Sequence, residues 1–318
     1  MSKWKGQKEG YRDALRYIKG RKNGTITSLR TPWRKVDDAG IDGIEWNSFV
    51  VVGGRPGSGK TLLKDQIVRE AFERNPNQKM RALEFQFEMI ARVSKVREFS
   101  ATLKENYKYV CSASKGLTIS DEEIEKLKEH ARAKSKLPID TVEEKMNIEQ
   151  IMKTIDEYME EHKDEDGNYT NTLITLDHSY LVQLGKNEKT KVEMLYNLGE
   201  AATTIKRKYP VIFIILSQLK REVESADRNE DGKYGNFILE TDIFGGDALV
   251  QNADLVFGIN KPSKRFITRY GPERFIIEDE NTLVFHFLKV RNGDPRMSFF
   301  KAVFEEMKIE EMATPPRE

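Results

Sequence analysis

Residues 54 to 61 read Gly-Arg-Pro-Gly-Ser-Gly-Lys-Thr, after the apolar run Phe49-Val50-Val51-Val52 and before the amphipathic stretch Leu62 to Phe72. A glycine-rich turn between a buried strand and a helix is a phosphate cradle, because its backbone N–H groups and the helix N-terminus converge on one anion. A chance G-x-x-x-x-G-K-[ST] match in a chain this long is on the order of one in a hundred at average composition. The segment therefore predicts an α/β fold with a nucleotide site formed by Gly54, Arg55, Pro56, Gly57, Ser58, Gly59, Lys60, Thr61 and Leu62. Lys60 reaches the β and γ phosphates in such a loop, and Thr61 holds Mg²⁺.

The remaining apolar runs extend this reading. Ala82 to Phe87, Leu173 to Leu176, Val211 to Leu216 and Leu255 to Ile259 are short, continuous and separated by helical stretches, as expected of parallel strands buried on both faces. Three of those helices carry a cap residue followed three later by Glu or Gln: Ser120 and Glu123, Asn147 and Gln150, Thr190 and Glu193. Alternating strands and helices predict a doubly wound, mostly parallel sheet. Beyond Asn260 the pattern becomes Phe275 to Ile277, Val284 to Val290 and Ser298 to Phe304 between turn signals, read as antiparallel strands extending the same sheet. The expected organisation is an N-terminal helix and connection over 1–30, an ATPase domain over 31–306 and a flexible tail over 307–318. In the first part Tyr11, Ala14, Leu15 and Ile18 form a narrow apolar stripe on a basic helix. That stripe suits either a helix folded back on its own core or one that docks on a neighbouring subunit.

Charge and cysteine content narrow the setting. The 318 residues carry 53 Lys plus Arg against 52 Asp plus Glu, so polyanion binding has to come from local patches. One cysteine forms no internal disulfide, and the four histidines lack ligand spacing. With no signal core and no bilayer-length apolar run, a soluble cytoplasmic protein without a membrane partner is expected.

Phosphoryl transfer needs a cradle, a metal, a group that orients water and a cation on the developing charge. Asp177 ends the strand Leu173 to Leu176, where a Mg²⁺-holding carboxylate belongs. Glu88 follows the second strand, whose carboxyl end should lie beside the first, and is placed to polarise water, with Glu84 as a rival. Gln218 ends Val211 to Leu216 and is placed to read a γ-phosphate. Lys289 and Arg291 stand two apart before the Asn292-Gly293 turn, an arrangement that also suits a solvated edge strand.

The order of these segments resembles the motor domain of DnaB-type replicative helicases over about residues 8 to 304. It runs from Arg55-Pro56 and Gly59-Lys60-Thr61 through Glu88-Met89, Asp177-His178, Ser217 to Arg221 and Gly245 to Asp254, to Lys289 to Gly293. Leu117 to Glu123 and Leu137 to Ile139 also look like that family's helical segment, and Asp177-His178 is closer to phage primase-helicases than to the bacterial Asp-Tyr form. The resemblance implies a RecA-like core, ATP with Mg²⁺ between subunits, and a homo-oligomer, a hexameric ring, around single-stranded DNA. It also implies that Glu88 is the catalytic carboxylate, Gln218 the γ-phosphate sensor, and Lys289 with Arg291 cations supplied to the neighbour's ATP. The Tyr11 to Ile18 helix matches the family's linker helix. Primase and helicase-loader partners follow from the same likeness, although no segment here resembles the family's primase-binding N-terminal domain. A bacterial cell is the implied setting, with either host or phage origin.

The DNA-facing segment is less direct. Arg221 to Asp242 carries seven acids against three bases, unfavourable beside phosphates, and its aromatics are Tyr234 and Phe237. Asp247 in Gly245-Gly246-Asp247 adds another acid. Lys186, Lys189 and Lys191 are the better backbone contacts, and predict tracking without sequence readout. Competing readings are a RecA- or KaiC-like recombinase or signalling ATPase, a non-translocating loader or clamp, and a GTPase through Asn260-Lys261-Pro262-Ser263, where Ser263 replaces the guanine-reading Asp.

Overall fold

A computed structural model describes residue 4 and residues 6–114, 118–228 and 237–318, without the side chains of residues 246 and 247. In chain order its helices are α1 (Gln7–Asn23), α2 (Arg34–Asp37), α3 (Lys60–Arg74), α4 (Ala91–Leu103), α5 (Tyr107–Cys111), α6 (Asp121–Lys134), α7 (Ile148–Glu161), α8 (Lys191–Lys208) and α9 (Gly246–Asn252). The strands are β1 (Ser28–Leu29), β2 (Ile44–Glu45), β3 (Ser48–Gly54), β4 (Met80–Gln86), β5 (Ile139–Val142), β6 (Asn171–Asp177), β7 (Val211–Gln218), β8 (Leu255–Asn260), β9 (Arg269–Tyr270), β10 (Phe275–Ile276), β11 (Thr282–Val290), β12 (Arg296–Val303) and β13 (Lys308–Glu311).

A 9-stranded sheet in the order β13-β12-β11-β8-β3-β7-β6-β4-β5 organises the chain. From β8 to β5 neighbouring strands are parallel, and β11, β12 and β13 add antiparallel to one side. The period-2 alternation of a strand explains why the runs are continuously apolar. Phe49 and Val51 face α7, α8 and α9 together with Leu83, Phe85, Ile174 and Phe213. Val50 and Val52 face the other way, against Leu62, Leu63, Ile67 and Val68 of α3. All three expected cap pairs form reciprocal capping boxes at the starts of α6, α7 and α8.

Three expectations need correction. The strand of Glu88 is not beside the phosphate-loop strand: β7 and β6 separate β4 from β3. Phe275–Ile276 pairs with Arg269–Tyr270 in a separate 2-stranded sheet instead of extending the main one. The expected flexible tail beginning at residue 307 instead forms β13 on β12. Ile309 is buried there, and its carbonyl accepts from Trp33 Nε1 at 2.7 Å and from Gln66 Nε2 at 3.3 Å, while its N–H donates to Gln66 Oε1 at 2.6 Å. The last strand thus clamps α3, the helix that leaves the phosphate loop.

The amphipathic segment before residue 30 is α1, and its stripe faces solvent: Tyr11 is 70%, Leu15 57% and Ile18 59% exposed. The reading as a helix folded back on its own core is therefore ruled out for these side chains.

Candidate active site

The loop between β3 and α3 is shaped by backbone requirements. Gly59 adopts φ 96°, where a side chain is strained, and a Cβ on Gly54 would fall 2.2 Å from Ser58 Oγ. Ser58 Oγ is buried without a hydrogen-bond partner, an orphan that a phosphate oxygen would satisfy. Lys60, Thr61 and Leu62 open α3, so their N–H groups have no partner inside the helix. The Leu62 side chain packs into the core, leaving only its backbone for a ligand.

Lys60 folds back over the loop, donating from Nζ to the Gly54 carbonyl at 2.7 Å and the Arg55 carbonyl at 3.2 Å. Burial pushes its pKa down to about 8, against the pull of Asp177 and Glu88 and with added repulsion from Arg55 and Lys264. Thr61 Oγ1 donates to Asp177 Oδ2 at 2.9 Å. A hydroxyl and a carboxylate in contact at a phosphate loop are the oxygen donors a hard divalent cation takes, so the residues fit Mg²⁺.

Glu88 lies just beyond β4, at the same sheet edge because β4 runs parallel to β3 through β6 and β7. Its carboxylate is 53% exposed and 3.9 Å from His178 Nε2. His178 Nδ1 accepts from the Tyr180 N–H at 3.3 Å, so Nε2 carries the proton facing Glu88. Burial lowers the His178 pKa. Glu84 is excluded as the rival carboxylate: it is buried, with Lys64 Nζ 3.0 Å away, and Lys64 also pairs with Asp65. Gln218 lies opposite Gly54 in the β3–β7 register. Arg55 points away from the cradle, to the Leu219 carbonyl at 3.1 Å and Glu224 at 2.9 Å, and so ties the loop to the segment after β7.

Lys289 and Arg291 are elsewhere. Val290 pairs with Leu255, which pairs with Val50, whereas Gly54 pairs with Ile259. Arg291 therefore lies about five residues, roughly 16 Å, from the phosphate loop along the strand direction. Lys289 Nζ donates to the Val250 and Gln251 carbonyls at 2.7 and 3.0 Å, at the end of α9. Arg291 is 53% exposed and 3.3 Å from Asp254. Neither reaches its own cradle.

The polar loops divide unevenly. Lys186 and Lys189 are exposed, but Lys191 turns inward, donating to the Val182 carbonyl and lying over the Tyr180 ring. Several acids after residue 221 are engaged internally: Glu224 with Arg55, and Asp242 with Arg228 at 2.9 Å. Phe237 packs on His286 with ring centroids 4.4 Å apart. Lys233, Tyr234, Glu230 and Asp231 lie outside the described residues, as does the side chain of Asp247. The guanine-like run is built into the fold instead: Asn260 Nδ2 donates to Tyr270 Oη at 3.0 Å and Ser263 Oγ to the Glu280 carbonyl at 2.5 Å. Sequence reasoning missed Lys264, whose Nζ donates to the Pro56 carbonyl at 2.9 Å from 208 residues away; no local pattern carries such a contact.

Residues 28–305 match the model of the DnaB-like helicase C terminal domain family. The chain belongs to this family. As a DnaB-like motor domain it is an ATP-hydrolysing replicative DNA helicase. Among solved structures the DnaB-like motor is similar to the ATPase domain of G40P, with TM-score 0.78 and 16% identity, over 95% of this chain and 98% of that one. It is also similar to a DnaB-like replicative helicase whose structure describes its interactions with primase, with TM-score 0.76 and 16% identity, over 94% of this chain. The DnaB-like motor spans 66% of that second protein's length. At such identity these likenesses show the RecA-like fold. No curated protein matches the chain, and no helix among the described residues is long and apolar enough to cross a membrane.

Proposed function

We propose that this motor hydrolyses ATP between adjacent protomers of a hexameric ring that tracks along single-stranded DNA. The observation that carries the reading is the separation of parts. Thr61, Asp177, Lys60 and Glu88 gather at one sheet edge, while the cations Lys289 and Arg291 sit at the opposite edge with an exposed guanidinium. A ring interface that joins the two edges completes the site, and an arginine supplied in trans speeds related phosphoryl transfers by about 10³ to 10⁵. The solvent-facing Tyr11, Leu15 and Ile18 stripe gives the same protomer a surface to dock on its neighbour; residues 1–30 act as a linker and the chain from residue 31 through β13 as the motor.

Each residue then has a role. Lys60 leaves the Gly54 carbonyl for the β and γ phosphates, and the backbone of residues 54 to 62 encloses them. Thr61 and Asp177 would hold Mg²⁺, which supplies positive charge against the phosphates when bound. Glu88 orients the attacking water and accepts its proton, and His178 positions Glu88. Gln218 senses the γ-phosphate and passes its presence to the segment after β7, to which Arg55 is already tied. Lys186 and Lys189 contact DNA phosphates. A primase and a helicase loader are the partner classes we assign, in the cytoplasm of a bacterial cell. Electron microscopy with an ATP analogue and single-stranded DNA tests the assembly: closed six-membered rings are expected, and filaments or dispersed monomers would overturn it.

A further inference from the structure

A cavity of about 310 Å³ opens between α3, α4, α6 and the strands β4 and β5, a volume within the range of small-ligand sites. No residue assigned above to ATP, Mg²⁺ or DNA lines it. Val68, Phe99, Leu137 and Met307 make its walls apolar, whereas Asp65 and Glu84 bring two carboxylates to it. Acids this deep are rare unless paired. A single fully buried ammonium serves both, since Lys64 Nζ lies 2.5 Å from Asp65 Oδ1 and 3.0 Å from Glu84 Oε1. Glu84 is 5% exposed, yet among the described residues no hydrogen bond reaches its Oε2 or Asp65 Oδ2. One negative charge is therefore left over where water is scarce, and a buried carboxylate oxygen without a donor is costly. The other charged groups of the lining are engaged: Glu98 holds Lys95 and His130, Lys134 pairs with Glu73, and Arg69 donates to the Met307 carbonyl at 2.9 Å. Arg97 is the remaining cation of the lining.

We propose that this cavity binds a small organic amine: its ammonium donates to the free oxygens of Asp65 and Glu84, and its apolar body lies against Phe99, Leu137 and Met307. The ligand supplies the charge that Lys64 alone does not. Burial, with added repulsion from Glu84 and Asp177, raises the Asp65 pKa against the pull of Lys64, so in the empty cavity a proton competes for the same place.

The test is equilibrium binding of three probes of one shape and different charge: phenethylamine, phenethyl alcohol and phenylacetate. The wild-type protein should bind the amine roughly tenfold or more tighter than the alcohol, as expected for charge-assisted hydrogen bonds, and phenylacetate weakest of all. Asp65→Asn leaves Glu84 and Lys64 as a neutral pair and should bring amine and alcohol to equal affinity. Ala131→Phe, on the α6 wall, should block all three. The wild-type series decides the matter even where a variant fails to fold. No binding of the amine, equal affinity for amine and alcohol, or preference for phenylacetate through Arg97 overturns the proposal. So does an amine preference that survives Asp65→Asn, which would place the probe elsewhere. Amine binding that the free protomer shows and the assembled ring loses would give the cavity to a neighbouring chain and overturn it as well.

Discussion

Lys60 makes nucleotide affinity depend on pH in a direction fixed by its surroundings. In the nucleotide-free site burial holds its pKa down to about 8. A triphosphate surrounding the ammonium favours the charged form and returns the pKa toward or above the ordinary value. Raising pH therefore neutralises the free site before the occupied one, and binding takes up a proton in that interval. The dissociation constant scales as one plus the deprotonated ratio of the free lysine, so from about pH 7.5 to about pH 9.5 it rises roughly 25-fold, about 1.9 kcal/mol. Calorimetry without Mg²⁺, in buffers of different ionisation enthalpy, should read close to one proton taken up per nucleotide near about pH 9. Asp177→Asn removes a carboxylate that raises the Lys60 pKa, so the midpoint should move to lower pH. Lys60→Arg keeps its charge throughout and should flatten the profile. In the free protein the same depressed pKa means that the unfolded chain binds more protons above about pH 8, so this residue's contribution to stability rises with pH there. A flat profile in the wild type, or an equal slope in Lys60→Arg, would refute the reasoning.

Two further outcomes follow from the packing and the loops. Deleting residues 307–318 strips Trp33 Nε1 and the Gln66 amide of their Ile309 partners. Gln66 Nε2 keeps Glu70, so two buried groups are orphaned, and at about 1–3 kcal/mol for each denaturant melts should show a loss of at least about 2 kcal/mol; unchanged stability would return 307–318 to a tail. Replacing Lys186 and Lys189 with Ala should lower the salt slope of single-stranded DNA binding by about 1.4, from roughly 0.7 per released phosphate contact. Lys191→Ala should leave it nearly unchanged, because that amine is held by the Val182 carbonyl, and an equal drop would contradict the assignment.

What could be read from the sequence was local. The phosphate loop, the buried parallel strands and the three capping boxes all depend on residues within a few positions of one another, and each appears where its spacing puts it. Strand order escaped, because β4 lies three strands from β3 through pairings decided by the packing of whole helices. β13 escaped for another reason: Lys308-Ile309-Glu310-Glu311 buries one apolar side chain and reads as solvated charge. In the site, Thr61 and Asp177 were legible as motifs, whereas the internal pairing of Glu84 and Lys191 depends on partners with no fixed sequence offset.

The central claim is that two protomers build each reaction centre. Arg291→Ala and Glu88→Ala proteins, each nearly inactive alone, should recover DNA-stimulated ATPase when mixed, because some interfaces pair an intact Glu88 with an intact Arg291 from the neighbour. Random equimolar mixing makes about a quarter of the interfaces complete, so activity should approach that share of the wild-type rate. No recovery at any ratio, with mixed rings shown to form, would contradict the shared site.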